Sequence, residues 1–417
     1  MRIGILTYHA VYNFGANLQA LSTYMYLKNN GLDPVVIDFF PEGLEEAFSR
    51  TVPAIQAAGH RDFIKRHFVL TRRCRNTGEV VEEIRANSID AVIIGSDAVL
   101  QHFPLIARIK INPSLKKIIS IKVQPVRYET NFPNPFWGEF MKSTGEAVPV
   151  AMMSVSCQDT DYKLIRGQEK REIGKILGKL KYLSVRDIRT RDLVRYISEN
   201  KFSPPVTPDP VFAFNDNITQ LPDFESIRNK YRLPEKYILL SFNSDRTVDK
   251  SWIGSFTTLS EKKGYCCVAL AMPGGIRFTS DLNIKINIPI DPLDWYCLIK
   301  YSSGYVGEKM HPVITALHNN VPFFSFDHYG ILKFKLFLNN KTSKIHNILW
   351  RSGFKDYRVP IARKITYKAP EPGYVLNKLI TFDKEKCTVF SDRMRLEYKE
   401  MMQSLLCNLG FNKTDNL

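Results

Sequence analysis

A strand, a helix and a second strand follow one another within residues 1–39, and few folds accept that order at that spacing. Residues 1–8 form one short apolar run, and residues 12–16 form a turn carrying Asn13 and Gly15. Over residues 17–30 apolar side chains recur at helical spacing (Leu18, Leu21, Met25) and stop at Gly31, a natural helix C-cap. Residues 35–39 supply the second strand. A strand–helix–strand connection of this length predicts a right-handed crossover and a parallel sheet.

The alternation returns along the chain. Residues 89–94 read as a strongly apolar strand that breaks at Gly95-Ser96-Asp97. Further strands are expected near 118–123, 148–155 and 183–185, with a basic helix over 163–180 and another helix over 188–200; residues 41–88 are less regular. Ser203, Pro204, Pro205, Pro208 and Pro210, then the polar stretch 216–223, mark a boundary. The pattern restarts with strands at 237–242, 266–271, 303–306 and 322–326 and helices at 250–263 and from 312. A chain of 417 residues exceeds the size at which one core keeps growing. The expected fold is therefore α/β, with two Rossmann-like doubly wound domains facing a cleft. The N-terminal domain is predicted over 1–215, the C-terminal domain over 216–390, and a terminal helix and tail over 391–417. That helix, with Met394, Tyr398, Met401 and Leu405 at helical spacing, is expected to pack back on the body; a membrane-surface helix is the alternative.

Composition excludes several classes. No stretch approaches the roughly 18 apolar residues of a spanning helix, and the N-terminus lacks the features of a signal peptide. Seven cysteines, an odd number with no C-x-x-C pair, argue against a disulfide framework or a zinc site and fit a reducing cytoplasm. No metal is expected. The net charge of +16 draws anionic ligands, polyanions or anionic lipid, although a solvated basic surface is the plainer account of most of it.

Four segments offer chemistry. The loop 13–19 puts Asn13, Gly15 and Asn17 between a strand and a helix N-terminus, where backbone amides suit a phosphate or carboxylate. It holds one glycine, so it is not a dinucleotide fingerprint, and a plain turn explains it equally well. Gly95, Ser96 and Asp97 follow a buried strand, at the end where open α/β sheets place ligands; capping a following helix is the simpler role for Asp97. Arg186, after another short strand, offers a planar fork for carboxylate or phosphate, or a salt bridge to Asp187 or Asp209. The most specific segment is Gly307-Glu308-Lys309-Met310-His311-Pro312. Pro312 suits a first helical turn, which puts His311 and Lys309 at a helix start beside free amides.

Together, N-F-G-A-N-L-Q-A-L (13–21), I-I-G-S-D (93–97), S-V-R-D (184–187) with P-D-P-V-F (208–212), and G-E-K-M-H-P-V-I-T-A-L-H-N-N-V-P-F-F-S-F-D (307–327) resemble the polysaccharide pyruvyl transferase family, in the family's order and over most of the chain. The resemblance implies a GT-B-like pair of domains and transfer of a pyruvyl group from phosphoenolpyruvate to hydroxyls of a sugar, forming a ketal. The sugar would belong to a surface polysaccharide or its lipid-linked precursor. No further cofactor, metal or nucleic acid is implied. The N-terminal domain would be the acceptor side and the C-terminal domain the phosphoenolpyruvate side, at the cytoplasm or the inner face of an anionic membrane. His311 matches the family's cleft histidine, expected at the donor phosphate. Lys309 stands where many members have arginine, Arg186 matches the arginine of the S-x-R segment, and Asp97 matches the G-S-D aspartate. Some members carry an acid in the first loop; Ala16 and Asn17 stand there here, which leaves Asp97 and Glu308 as candidates for acid–base work. A GT-B-like glycosyltransferase with a nucleotide-sugar donor, or a non-catalytic binding protein derived from the family, are the competing readings.

Overall fold

The computed structural model describes residues 1–113, 119–333, 337–339, 342–361 and 367–411. Its first sheet is built from β1 (Arg2–Leu6), β2 (Asp33–Val36), β3 (Ala91–Asp97), β4 (Val150–Val155) and β5 (Tyr182–Val185), all parallel, in the order β2-β1-β3-β4-β5. The second is built from β6 (Tyr237–Ser241), β7 (Cys266–Leu270), β8 (Ile284–Ile286), β9 (Gly304–Gly307), β10 (Phe323–Asp327) and β11 (Arg358–Pro360). These are also parallel, in the order β8-β7-β6-β9-β10-β11. Every residue of β4, β6 and β9 is buried, which explains why these strands read as continuous apolar runs rather than alternating ones.

Both orders reverse direction once, between β1 and β3 in the first sheet and between β6 and β9 in the second. A ligand crevice forms at such a reversal, outside the carboxyl ends of the strands. The helices that matter for the site start from these strand ends or lie beside them. They are α1 (Phe14–Asn29), α2 (Ala54–His67), α3 (Ile188–Ile197), α4 (Pro292–Lys300), α5 (Met310–His318), α6 (Lys344–Ser352) and α7 (Lys384–Asn408).

The two domains share one apolar core. Residues of β1 and α1, the link through Phe212 and Phe214, and α4, α5 and α7 belong to a single buried cluster. Phe14 stacks on Trp295 across the interface, with ring centroids 5.1 Å apart. Beside them the Gln56 amide donates to the Ile290 carbonyl (2.9 Å) and accepts from its N–H (2.7 Å), so a buried side chain replaces a missing strand partner. Arg66 pairs with Asp291 at 2.5 Å.

Helix α7 begins at Lys384 rather than near 391. Its buried residues include Met394, Tyr398, Met401 and Leu405, so the apolar stripe faces protein and the membrane-surface reading of this helix falls away. Its first half lies on α5, where Ser391 Oγ donates to the His318 carbonyl at 3.1 Å. Its second half lies on α1, where Tyr398 meets Tyr26 edge-on with centroids 5.7 Å apart. The strand expected at 118–123 exists but lies outside both sheets, as the arm Ile119–Val123 of an antiparallel pair with Ile109–Pro113. Among the described residues no helix is long and apolar enough to cross a membrane.

One consequence concerns acid stability. His60 is fully buried on α2, with Nδ1 at 2.8 Å from Asn17 Oδ1, and burial pulls its pKa from 6.5 down to about 4. Between those values the unfolded chain carries a proton that the folded chain does not. The contribution is complete above pH 6.5 and declines as the pH falls toward 4, costing about 3 kcal/mol by then. Urea unfolding at stepped pH should show this loss, and His60→Gln should flatten it.

Candidate active site

The site stands where the two crevices face each other. From the first domain, β1 leads through Tyr12 and Asn13 into α1. Asn13 caps that helix, its Oδ1 accepting from the N–H groups of Gly15 (3.0 Å) and Ala16 (3.4 Å). From the second domain, β9 leads through Glu308 and Lys309 into α5, whose first turn holds His311 and Pro312. No side chain caps α5, so its leading N–H groups are left for a ligand. Between the two lies a cleft of about 240 Å³, lined by Asn13, Gly15, Asn243, Arg277, Lys309 and His311 among others.

Gly15 and His311 are fitted to each other across this cleft. A Cβ on Gly15 would sit inside the imidazole ring of His311, so only glycine lets the ring lie there. The Nε2 atom of His311 is buried and has no hydrogen-bond partner among the described residues. Burial keeps its pKa below the ordinary value, opposed by Asp209 and Asp97. The free protein thus holds a neutral imidazole beside carboxylates that will favour its protonated form.

Behind the histidine runs a charged network. Arg186, at the end of β5, bonds Asp97 (3.2 Å) and Asp209 (3.0 Å). Gln19 of α1 donates to Asp209 as well, at 2.5 Å. Burial pushes the Asp97 carboxyl up, but Arg186, Lys344 and His311 outweigh it and hold it ionised below the usual carboxylate range. Asp97 has φ of 76° and no helix follows it, so the helix-capping role expected for it is not what the structure shows. Strand β3 also runs through Gly95, Ser96 and Asp97 instead of breaking before them. Gly95, at φ 118°, allows this because a Cβ there would strike the Met153 carbonyl of β4. Ser96 is buried, and its hydroxyl has no partner among the described residues. Asp187 does not pair with Arg186 but caps α3 through Thr190 N–H at 2.8 Å.

Three expected site residues differ in setting. Lys309 lines the cleft, with burial and Arg277 lowering its pKa and Glu308 raising it. Glu308 is fully buried and engaged: Oε2 accepts from the Asn243 backbone N–H at 3.1 Å and from its amide, and Oε1 accepts from Thr247 and lies 3.0 Å from His328 Nε2. Its carboxylate therefore organises the loop after β6 and does not face the cleft as a free acid. Asn17 is also taken out of the cleft. Its amide donates to the His9 carbonyl (2.7 Å) and its oxygen meets His60, so it fastens α1 to β1 and α2.

The sequence reading passed over Arg277, Asn243 and Lys344. Arg277 follows the Pro273-Gly274-Gly275 turn and bonds the Thr51 carbonyl across the cleft at 2.9 Å. A glycine pair straight after a buried strand was the available signal. Lys344, at the start of α6, reaches Gln158 of the first domain at 2.9 Å, and burial lowers its pKa. Nothing in its local sequence points to the cleft.

Two facing parallel sheets, each with its crevice opening on the other, define a GT-B-type α/β protein. The solved structures agree on this fold. A UDP-GlcNAc 2-epimerase from Neisseria meningitidis bound to UDP-GlcNAc is 9% identical at a TM-score of 0.52, covering 98% of this chain and 100% of its own. The S. aureus MnaA structure with UDP is 11% identical at 0.50, covering 99% and 97%. The UDP-N-acetylglucosamine 2-epimerase from Rickettsia bellii is 10% identical at 0.50, covering 99% and 98%. None of the curated proteins matches the chain. The profile of the polysaccharide pyruvyl transferase family matches residues 13–329, and the chain belongs to that family. It is a sugar-modifying transferase of polysaccharide biosynthesis.

Proposed function

We propose that the cleft binds phosphoenolpyruvate and transfers its pyruvyl group to two hydroxyls of one sugar, as a cyclic ketal. The observation that carries this reading is the seat of His311: a ring whose buried Nε2 has no partner among the described residues, pressed on Gly15, beside Lys309 and the uncapped start of α5. Those groups suit a phosphate, with charge-assisted donors and amides converging where the leaving group's charge grows. Arg186 and Lys344 supply further positive charge behind the ring, next to Asp97.

In this reading the methylene carbon of phosphoenolpyruvate takes up a proton and the central carbon becomes electrophilic. A sugar hydroxyl bonds to that carbon, the carbon–oxygen bond to phosphate breaks, and a second hydroxyl closes the ring. The two hydroxyl protons balance the step, one matching the new methyl hydrogen and one leaving on phosphate. Asp97, held ionised, fits a proton acceptor for the hydroxyl. His311 fits the proton donor, once a bound anion has raised its pKa. Glu308 serves as a brace in this scheme, through Asn243 and Thr247.

The test is calorimetry of phosphoenolpyruvate in buffers of different ionisation heat. Binding should be saturable, take up protons near neutral pH and weaken as the pH rises, because the ligand lifts a depressed histidine pKa. His311→Ala should remove most of that proton uptake and weaken binding at least tenfold, about 1.4 kcal/mol. Binding of a nucleotide sugar in place of phosphoenolpyruvate would overturn the donor assignment.

A further inference from the structure

We propose that Arg277 recognises the carboxylate of phosphoenolpyruvate, an assignment that rests on the proposed pyruvyl transfer. That donor is anionic at two places, its phosphate and its carboxylate, and the groups around His311 account for the phosphate alone. Arg186, the arginine that the sequence offers for either anion, is already engaged: Asp97 and Asp209 fill its guanidinium behind the imidazole. The carboxylate therefore needs another partner. Among the described residues the lining of the cleft holds Arg277, Lys309 and His311 and no aspartate or glutamate. Arg277 bonds only main-chain carbonyls, Nη2 to Thr51 at 2.9 Å and Nε to Gly274 at 3.5 Å, and no acid pairs with it among the described residues.

The chain builds a seat for this guanidinium. Strand β7 ends in a tight turn, with the Gly275 N–H donating to the Met272 carbonyl at 2.7 Å and Gly275 at φ 89°, where glycine is favoured. A Cβ on Gly274 would strike both Arg277 Nη2 and the Thr51 carbonyl, so glycine is what lets the guanidinium lie over the turn. Past the arginine, Phe278 packs edge-on against Phe242 with centroids 5.5 Å apart, and Asp245 accepts from the Thr279 N–H (2.6 Å) and hydroxyl (2.7 Å). The backbone under Arg277 is thus fixed before any ligand arrives, which lowers the cost of binding one. Burial lowers the Lys309 pKa, Glu308 raises it and Arg277 lowers it further, which puts the two cations within electrostatic reach of each other. Like charges so placed repel until an anion joins them. Their chemistry divides the ligand: the planar fork of arginine matches a carboxylate, and the compact ammonium of Lys309 serves the phosphate as a point charge. The buried Trp295 lines the same cleft, and its Nε1, a donor only, has no partner among the described residues. A ligand rich in acceptor oxygens would satisfy it.

The experiment titrates the full chain with phosphoenolpyruvate and with methyl phosphate, which keeps the phosphate and lacks the carboxylate, and follows both by phosphorus NMR at constant ionic strength. Arg277→Gln should weaken phosphoenolpyruvate at least about tenfold and leave methyl phosphate within about twofold of wild type. Arg277→Lys keeps the charge without the fork and should fall between the two. A cleft merely loosened by losing the Thr51 contact would weaken both ligands alike, so an equal loss overturns the proposal. So does an Arg277→Gln variant that binds phosphoenolpyruvate as the wild type does; with wild-type binding intact, that result strikes Arg277 and leaves the donor assignment standing. A wild type that binds no phosphoenolpyruvate overturns the donor assignment, and the role of Arg277 with it. Circular dichroism and melting temperature of both variants check that the fold is kept.

Discussion

Gly15→Ala should reduce turnover by about a hundredfold or more while leaving the fold intact. The added methyl group would occupy the place of the His311 ring, so the ring or the start of α1 must move. Stability should change little, because alanine is favoured over glycine in a helix by about 1 kcal/mol and this offsets part of the clash. Phosphate release from phosphoenolpyruvate with a sugar acceptor, measured beside the melting temperature, separates the two effects. If the damage acts through His311, adding Gly15→Ala to His311→Ala should cost almost nothing further. An additive loss would show that the glycine matters for another reason.

Arg186→Met should act on stability and chemistry together. Its guanidinium is 8% exposed and bonds two carboxylates, Asp97 at 15% and Asp209 at 2% exposure. Removing the cation leaves two buried negative charges without their partner, which typically costs about 3–5 kcal/mol. Urea unfolding should show a loss of that size, and Asp209→Asn in the same chain should recover part of it. Arg186 also depresses the pKa values of both Asp97 and His311, so its removal should raise both. An NMR titration of His311 in the variant should therefore move upward. A stable variant with an unmoved histidine would remove Arg186 from the network.

Most of the strands read in advance are buried over nearly their whole length. Strands β1, β3, β4, β6, β9 and β10 are of this kind and mostly apolar, and such segments stand out without any knowledge of their neighbours. Helix α2 was hidden because its buried face is partly polar: Gln56 and His60 are buried through partners far along the chain, at Ile290 and Asn17. The short edge strands β8 and β11 carry too little apolar sequence to announce themselves. The same division holds at the site. His311, Lys309, Arg186 and Asp97 lie at strand ends, where sequence position alone implies a crevice. Glu308 and Asn17 lie at strand or helix ends too, yet their side chains turn inward to partners that no local spacing reveals. Asp209 was named in advance only as a salt-bridge partner, although it ties Arg186 to Gln19 across two elements.

Helix α7 starts on α5 and finishes on α1, so the chain crosses between the domains twice and returns to the body in which it began. Its last turns and the first strand therefore travel together. Any opening of the cleft would swing the second domain as an insert held at both its ends, like a door with two pins on one axis, and twisting about the long axis would be resisted. Probes attached at Met1 and near Asn408 would stay at constant separation through such a movement. A probe on the first domain paired with one on α4 would report it.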